Sequence, residues 1–387
     1  MSLTPFSSAA SLRPLSVFDR LFARLAKFDA VRALLALNIV AAWLLRNFLL
    51  KRWTSLWWTI IGQGAPKLAL GDERKRIAKF KLLEDESVGK HRYITLKSGI
   101  KLHAVEAGAL NAPLLILLHG YPQNWYIWHK IIPPLARHLR VVAPDMRGYG
   151  GSDKPELVQD YHADHLTTDV KELAEALQVE AGKSKNENFI LGGHDWGAVV
   201  CWDFASRYPT LLSRLIIINV PPPWTLLENM TFRQLRKSWY IVWFQFPGLA
   251  DAALSANDAA GLVEHFLRHT KGVPESELDV YRVGMAEEGR ATAAINFYRA
   301  NITPTTQSTR SGPPPSFPPT LILWGDQDYF LDTETCLWGI ERGIPELQVE
   351  ILKGVGHFVP DEEPERVVEV VERFLVPGEG VGSGVAA

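Results

Sequence analysis

Cysteine is scarce in this chain. Its 387 residues hold two, Cys201 and Cys336, too few for a disulfide framework or a cysteine zinc cage. Charge of one sign is also lacking. Lys and Arg total 41 against 43 Asp and Glu, for a net charge of −2, so the electrostatic footprint of a nucleic-acid binder is missing. There are no internal repeats, no metal-ligand constellation and no Gly-rich phosphate cradle, and neither a metal nor another cofactor is expected. What is present is apolar residue in quantity, 47% against 22% charged, enough to bury a core over most of the length. The chain is also longer than one average domain: at roughly 150 residues per domain, two to three units are the starting expectation. Tryptophan is plentiful, with four of 13 before residue 60.

Long hydrophobic runs are few, and one stands apart. Ala33–Leu45 (ALLALNIVAAWLL) contains a single polar residue, Asn38. Carried on to Leu50 as a helix, it reaches about 27 Å, close to the roughly 30 Å hydrocarbon core. Arg46 can snorkel to the headgroups, and Trp43, Trp53, Trp57 and Trp58 cluster as interface anchors do. A cleaved signal peptide fits less well, because the preceding region is long and no small-residue cleavage site follows. A buried core helix and an amphipathic surface helix are the remaining alternatives. Residues 1–62 are therefore expected to form a tail and membrane anchor, touching the membrane through residues 33–61, with a single span favoured. Arg13, Arg20, Arg24, Lys27 and Arg32 before the run weakly place the N-terminus in the cytosol. The sequons at Asn229 and Asn301 would then be usable.

Residues 63–90 form a polar linker, and then the pattern changes. Apolar runs at Leu114–Leu118, Val141–Ala143, Phe189–Leu191, Leu215–Ile218, Leu321–Leu323 and Val349–Leu352 read as strands. Helical stretches such as Thr167–Leu177 and Ala198–Tyr208 lie between several of them. This alternation implies an α/β fold, a mostly parallel sheet with helices on both faces. It breaks after Pro221-Pro222-Pro223. Residues 224–305 look helical and aromatic, an insertion between a first core segment, 91–223, and a second, 320–376. A Pro-rich connector occupies 306–319, and a tail of small residues, 377–387, closes the chain.

In open parallel sheets, function sits at the carboxyl ends of the strands. After Phe189–Leu191 comes Gly193-His194-Asp195-Trp196-Gly197, a G-x-D-x-G turn whose glycines allow a sharp strand-to-helix bend presenting the middle side chain. The plain alternative is a helix N-cap aspartate. After Leu114–Leu118 comes His119-Gly120-Tyr121-Pro122, a loop whose Tyr121 N–H, with that of Trp196, would form an oxyanion hole; the plain alternative is an ordinary turn. After Leu321–Leu323 come Asp326 and Asp328, either able to orient a histidine. After Val349–Leu352 comes His357. Nucleophile, acid and histidine thus follow one another in the chain order of α/β-hydrolase triads.

With those motifs in hand, residues 91–376 resemble an α/β-hydrolase of the epoxide hydrolase family, with an inserted helical lid. HGYPQNWYIW (119–128) is similar to the family's oxyanion loop, DMRGYGGSD (145–153) to its next loop and GGHDWGA (192–198) to its nucleophile elbow. In the lid, YIVWFQFPG (240–248) and NFYR (296–299) resemble the two segments that carry the epoxide-binding tyrosines. The resemblance therefore implies catalytic roles for Asp195, His357, Tyr240 and Tyr298, and picks Asp328 as the orienting acid. The apolar N-terminal stretch and linker resemble the membrane-anchored members, which makes the endoplasmic reticulum membrane the expected location. Gln123 departs from the family's usual acid, and Trp243 from a Tyr.

The chemistry suits those residues. A carboxylate attacking an sp³ carbon leaves an ester that water can cleave, whereas serine would leave an ether. An opening epoxide becomes a basic alkoxide and needs an acid, which two phenols supply. Dehalogenases of the same fold are the main alternative, but halide leaves without a proton. Trp196 stands where fluoroacetate-type dehalogenases resemble one another in an arginine, and His194 and Tyr121 differ from the residues usual in haloalkane dehalogenases. A membrane-tethered binding protein without catalysis is the alternative of another class. The expected partner is a lipophilic small-molecule epoxide, held by His119, Pro122, Trp125, Trp128, Trp239, Trp243 and Phe244. His357 acts as a base only when neutral, so activity is expected to fall at acidic pH.

Overall fold

The computed structural model describes residues 82–302 and 317–375, apart from 247, 249, 252–253 and 255–259. The anchor expected over residues 33–61, most of the Pro-rich connector and the tail lie outside the described residues. Among the described residues no helix is long and apolar enough to cross a membrane.

Eight strands form one sheet: β1 (Lys90–Thr95), β2 (Lys101–Ala107), β3 (Leu114–Leu118), β4 (Arg140–Pro144), β5 (Phe189–His194), β6 (Leu212–Ile218), β7 (Thr320–Gly325) and β8 (Leu347–Leu352). Their spatial order is β1-β2-β4-β3-β5-β6-β7-β8. From β4 to β8 every pairing is parallel, and β1 and β2 add an antiparallel edge. β3 is LLILL, with all five residues buried. A strand covered on both faces has no wet side, so it needs no polar alternation. The β1–β2 hairpin was not legible from apolar runs. β1 is an edge strand, KHRYIT, with only Ile94 buried, and its polar residues hide the period.

Helices cover the sheet. The principal ones used below are α1 (Ala163–Glu180), α2 (Trp196–Arg207), α3 (Phe232–Lys237), α4 (Trp239–Phe244), α5 (Ala260–Leu267), α6 (Glu275–Ala286), α7 (Arg290–Asn301), α8 (Val359–Glu362) and α9 (Pro364–Leu375). α9 shows why they pack. Val367, Val368, Val370 and Val371 are buried, while Glu365, Arg366 and Glu369 face solvent, the single apolar stripe of a helix on a core. Each valine buried contributes on the order of 1.5–3 kcal/mol. Helices α3–α7 fall between β6 and β7 and form a cap over the carboxyl end of the sheet.

That cap is tied down by specific polar residues. The Gln234 side chain, on α3, donates to the Phe330 carbonyl and accepts from the Asp332 N–H, and Lys237 donates to the Asp328 carbonyl. Two lid segments are tied to each other as well. Arg299 donates to the Phe244 carbonyl and pairs with Asp251, and Gln245 donates to the Tyr298 carbonyl. Gln245 and Arg299 in the lid motifs are thus cross-links between α4 and α7. At the sequon Asn301, the amide accepts from the Ala163 N–H and donates to the Tyr161 carbonyl. A side chain so engaged is poorly placed to accept a glycan.

Candidate active site

Asp195 sits between β5 and α2 with φ 49° and ψ −122°. A non-glycine residue there is strained by about 1–3 kcal/mol, a cost that clusters at functional sites. The glycines around it are required by close approach. A Cβ at Gly197 would meet the Leu118 carbonyl, one at Gly193 would meet the backbone of Gly197, and one at Gly120 would meet the Asp195 carboxyl. Because β3 lies beside β5, with Leu118 opposite Gly193, the His119–Pro122 loop ends against the elbow. The Tyr121 N–H donates to Asp195 Oδ1 at 2.7 Å. Trp196 opens α2, where N–H groups have no partner within the helix.

The other carboxylate oxygen, Oδ2, lies 3.5 Å from His357 Nε2. On its far side His357 Nδ1 is 2.7 Å from Asp328 Oδ2. Asp328 is the acid on the histidine; Asp326 instead accepts from the Gly354 N–H in a surface turn. Asp328 is further held by the Asn219 amide at 2.7 Å and by the N–H groups of Phe330 and Leu331 at 2.7 and 2.9 Å. Burial works against its charge, but His357 and these donors keep it below the usual carboxylate range. Asn219 has φ 53° and follows β6. Its oxygen takes the Gly325 N–H, so it braces two strand ends. Sequence reading missed it, since nothing in Ile218-Asn219-Val220 marks it.

Burial alone would lower the basicity of His357. The Asp328 charge and the contacts to both carboxylates outweigh burial and raise it to about 10. The free site is therefore an ion triplet of two carboxylates around an imidazolium. His194, next to Asp195, is the opposite case: burial, then the His357 charge, push it down to about 3. It is a neutral histidine donating from Nε2 to the His357 carbonyl at 2.9 Å, which fixes the backbone beneath the His357 ring.

The two lid phenols lie together, near enough to Asp195 for both to feel its charge. Tyr240 and Tyr298 have ring centres 5.9 Å apart. Burial, then the Asp195 charge, raises both well above the usual phenol value, so both stay protonated donors. Around them stand Trp196, 4.9 Å edge-on to Tyr298, and Phe244, which meets Tyr121, Tyr240 and Tyr298. Phe266 and Phe330, unrecognised in the sequence, pack against Tyr240, and Phe330 also meets the His357 ring at 5.2 Å.

Other expected binding residues are placed differently. Trp239 is 44% exposed, packs on His265 and meets Tyr240 edge-on at 6.4 Å, at the rim of the aromatic cluster; neighbouring helix positions point about 100° apart, so Tyr240 is the buried one of the pair. Trp125 and Trp128 are buried in the core, and the ring contacts of Trp125 are with His91 and Tyr126. His119 is fully buried. It accepts from the Met146 N–H, lies 3.1 Å from the Gly120 carbonyl and packs on Tyr149, so it braces two loops. Pro122 lies beside a small cavity with Gln123, Asn124 and Tyr149. Trp243 is half-buried against the core. Among the described residues no His, Cys, Asp and Glu group has the arrangement to hold a metal.

Fold and site together define an α/β-hydrolase with a carboxylate at the elbow. Residues 113–364 match the family described as alpha/beta hydrolase fold. The chain is 34% identical over 322 residues to mouse epoxide hydrolase 3, covering 78% of this chain and 83% of that protein. It is 34% identical over 305 residues to human epoxide hydrolase 4, covering 76% and 81%. The crystal structure of a Bacillus megaterium epoxide hydrolase in complex with an inhibitor superimposes with a TM-score of 0.65 at 29% identity, covering 73% of this chain and 99% of that one. The chain belongs to the epoxide hydrolase family.

Proposed function

We propose that this protein converts lipophilic epoxides to vicinal diols through an ester on Asp195. The observation that carries the reading is the convergence of one carboxylate, one carboxylate-flanked histidine and two buried phenols on a single point. Asp195 Oδ1 already faces the Tyr121 N–H, so Oδ2 is the attacking oxygen. It forms a bond to a ring carbon as the C–O bond of the epoxide breaks, and Tyr240 or Tyr298 gives the alkoxide its proton. Ester formation removes the Asp195 charge, which weakens the hold of His357 on its proton. That proton passes to the phenolate. Neutral His357 then takes a proton from water, and the hydroxide attacks Cγ of Asp195. Oδ1 becomes the oxyanion, held by the N–H groups of Tyr121 and Trp196. Collapse expels the diol alkoxide, which takes the proton of the new carboxyl, leaving carboxylate and imidazolium as at the start.

The phenols favour this reading over dehalogenation, since halide would need no acid. Tyr240→Phe and Tyr298→Phe are each expected to reduce kcat/KM for epoxide opening, and the double variant by about 10²–10⁴-fold. The check is a panel of styrene-oxide and fatty-acid epoxides assayed for diol, with haloalkanes assayed for halide. Diol from the epoxides supports the reading. Halide without diol would transfer the protein to the dehalogenase class.

The ion triplet also makes a pH prediction. Burial would raise Asp195, but His357 and the Tyr121 N–H hold it below the usual carboxylate range, so alkylation by the free enzyme is insensitive to mild acid. Ester hydrolysis needs neutral His357. Hence kcat is expected to fall toward acidic pH before kcat/KM does, as rapid-quench kinetics of the two steps would reveal. We further propose that residues 33–61 hold the enzyme at a membrane, with the endoplasmic reticulum the expected site. The support is the apolar run with its flanking tryptophans, and the check is whether alkaline carbonate releases the full chain from membranes.

A further inference from the structure

Outside the triad, Asp361 is a buried carboxyl that joins the lid to the core. Asp361 lies on α8, four residues beyond His357, and is 3% exposed. Tyr281, on lid helix α6, donates its hydroxyl to Asp361, 2.8 Å from Oδ1 and 2.9 Å from Oδ2. The Gln123 amide meets Oδ2 at 2.6 Å. Gln123 also closes the turn that carries Tyr121, since its N–H donates to the Gly120 carbonyl at 3.0 Å. One carboxyl therefore touches three parts: the lid, the segment after the base, and the turn whose Tyr121 N–H faces the nucleophile.

We propose that Asp361 is a positioning residue that ties lid helix α6, through Tyr281, to the turn presenting the Tyr121 N–H, through Gln123. It rests on the proposed reaction only in that Tyr121 serves the oxyanion.

The surroundings favour the uncharged acid. Burial is the main influence, and Glu277 of α6 and the adjacent Glu362 add to it. Tyr281 and, from the loop after β3, Lys130 oppose it, and Asp361 is raised to about 8. Lys130 is itself paired to Glu277 at 2.7 Å, which leaves little of its charge for Asp361. Tyr126 also faces this node, and His129 stacks on Tyr126 with Nε2 3.9 Å from Glu277. In the protonated state the acid can give its own proton to the amide oxygen of Gln123 across the same short contact, because the two amide orientations have nearly the same shape. The Gln123 oxygen otherwise has no partner. Loss of the proton places a third negative charge between Glu277 and Glu362 and loosens the turn.

The test compares the full-length wild type with Asp361→Asn, Asp361→Leu and Tyr281→Phe, measuring kcat, KM and Tm between about pH 5 and about pH 10. Wild-type kcat is expected to fall through an alkaline limb near 8, by about tenfold one pH unit beyond it. Asp361→Asn keeps a neutral hydrogen-bonding group and should retain kcat within about threefold below the limb and lack the limb. Asp361→Leu should lose kcat at every pH, by more than KM changes. Tyr281→Phe removes a bond that favours the charged form and should move the limb to higher pH.

The folded value of Asp361 lies above the unfolded one, so the folded state keeps a proton that the unfolded state releases. Its contribution to stability is full below the unfolded value, about 3.9, and is lost as pH rises through the folded value. The wild-type Tm should therefore fall relative to Asp361→Asn up to about pH 8 and run parallel above it. An Asp361→Asn variant as inactive as Asp361→Leu, or one that keeps the limb, overturns the proposal. A limb that Tyr281→Phe leaves unmoved also overturns it. If the wild type turns over no epoxide, the reaction reading fails by itself, and the Tm comparison decides: a wild-type Tm that gains on Asp361→Asn as pH falls below about 8 supports the buried, protonated tie at Asp361, and parallel Tm curves throughout overturn it.

Discussion

Asp195→Asn is expected to abolish epoxide turnover, a loss of about 10⁴-fold or more. The reason is electronic. An amide oxygen is a poor nucleophile toward an sp³ carbon, so no ester forms, and everything downstream of the ester is idle. The fold should survive the change. The amide has the same shape as the carboxylate, and its oxygen can still accept from the Tyr121 N–H, which now bonds Oδ1 at 2.7 Å. The charge balance shifts, however. Without the Asp195 carboxylate, His357 loses one of the two partners that raise it to about 10 and should titrate at lower pH, which an NMR titration of the imidazole would follow. Activity near the wild-type level in Asp195→Asn would remove the residue from its role.

His357→Gln should do something different, and equally large. Opening the ring needs Asp195, the phenols and no base, so the variant should still form the ester. Without a base it cannot activate water, and the ester should persist. The measurement is intact mass after mixing with a reactive epoxide: one equivalent of substrate mass added, located on the peptide that holds Asp195. Loss of turnover without any adduct would mean that the histidine is needed for alkylation, contrary to the division of labour proposed. The structure gives a reason to expect an altered rate of ester formation, because Gln brings no positive charge to steady Asp195 and Asp328, the latter held by Asn219 and two backbone N–H groups.

The positions proposed as catalytic were legible because a parallel sheet gathers them. Asp195, Asp328 and His357 each follow an apolar run and a glycine-rich turn, so local pattern and chain order alone bring them together. The family resemblance then separated Asp328 from Asp326, which the residues alone left open. Residues that act by convergence stayed hidden. Asn219 reaches Asp328 across 109 positions, and Gln234 reaches Phe330 across 96, with no local signature at either end. Phe266 and Phe330 are ordinary apolar residues until the lid folds over the sheet. The tryptophans misled for a related reason. Residue type says that Trp239 and Trp125 are large and apolar, but only packing decides that one faces solvent and the other the core. The resting charge of His357 could not be read either, because it depends on two carboxylates flanking one ring.

The central claim is that water attacks an ester on Asp195 and does not attack the epoxide directly. A single turnover in heavy-oxygen water, with enzyme in excess over epoxide, tests this. If Oδ2 becomes the ester oxygen, it departs with the product, and the water oxygen replaces it on the enzyme. The diol should be unlabelled and the heavy oxygen should appear on the peptide that carries Asp195. A labelled diol from that first turnover, with Asp195 unlabelled, would contradict it.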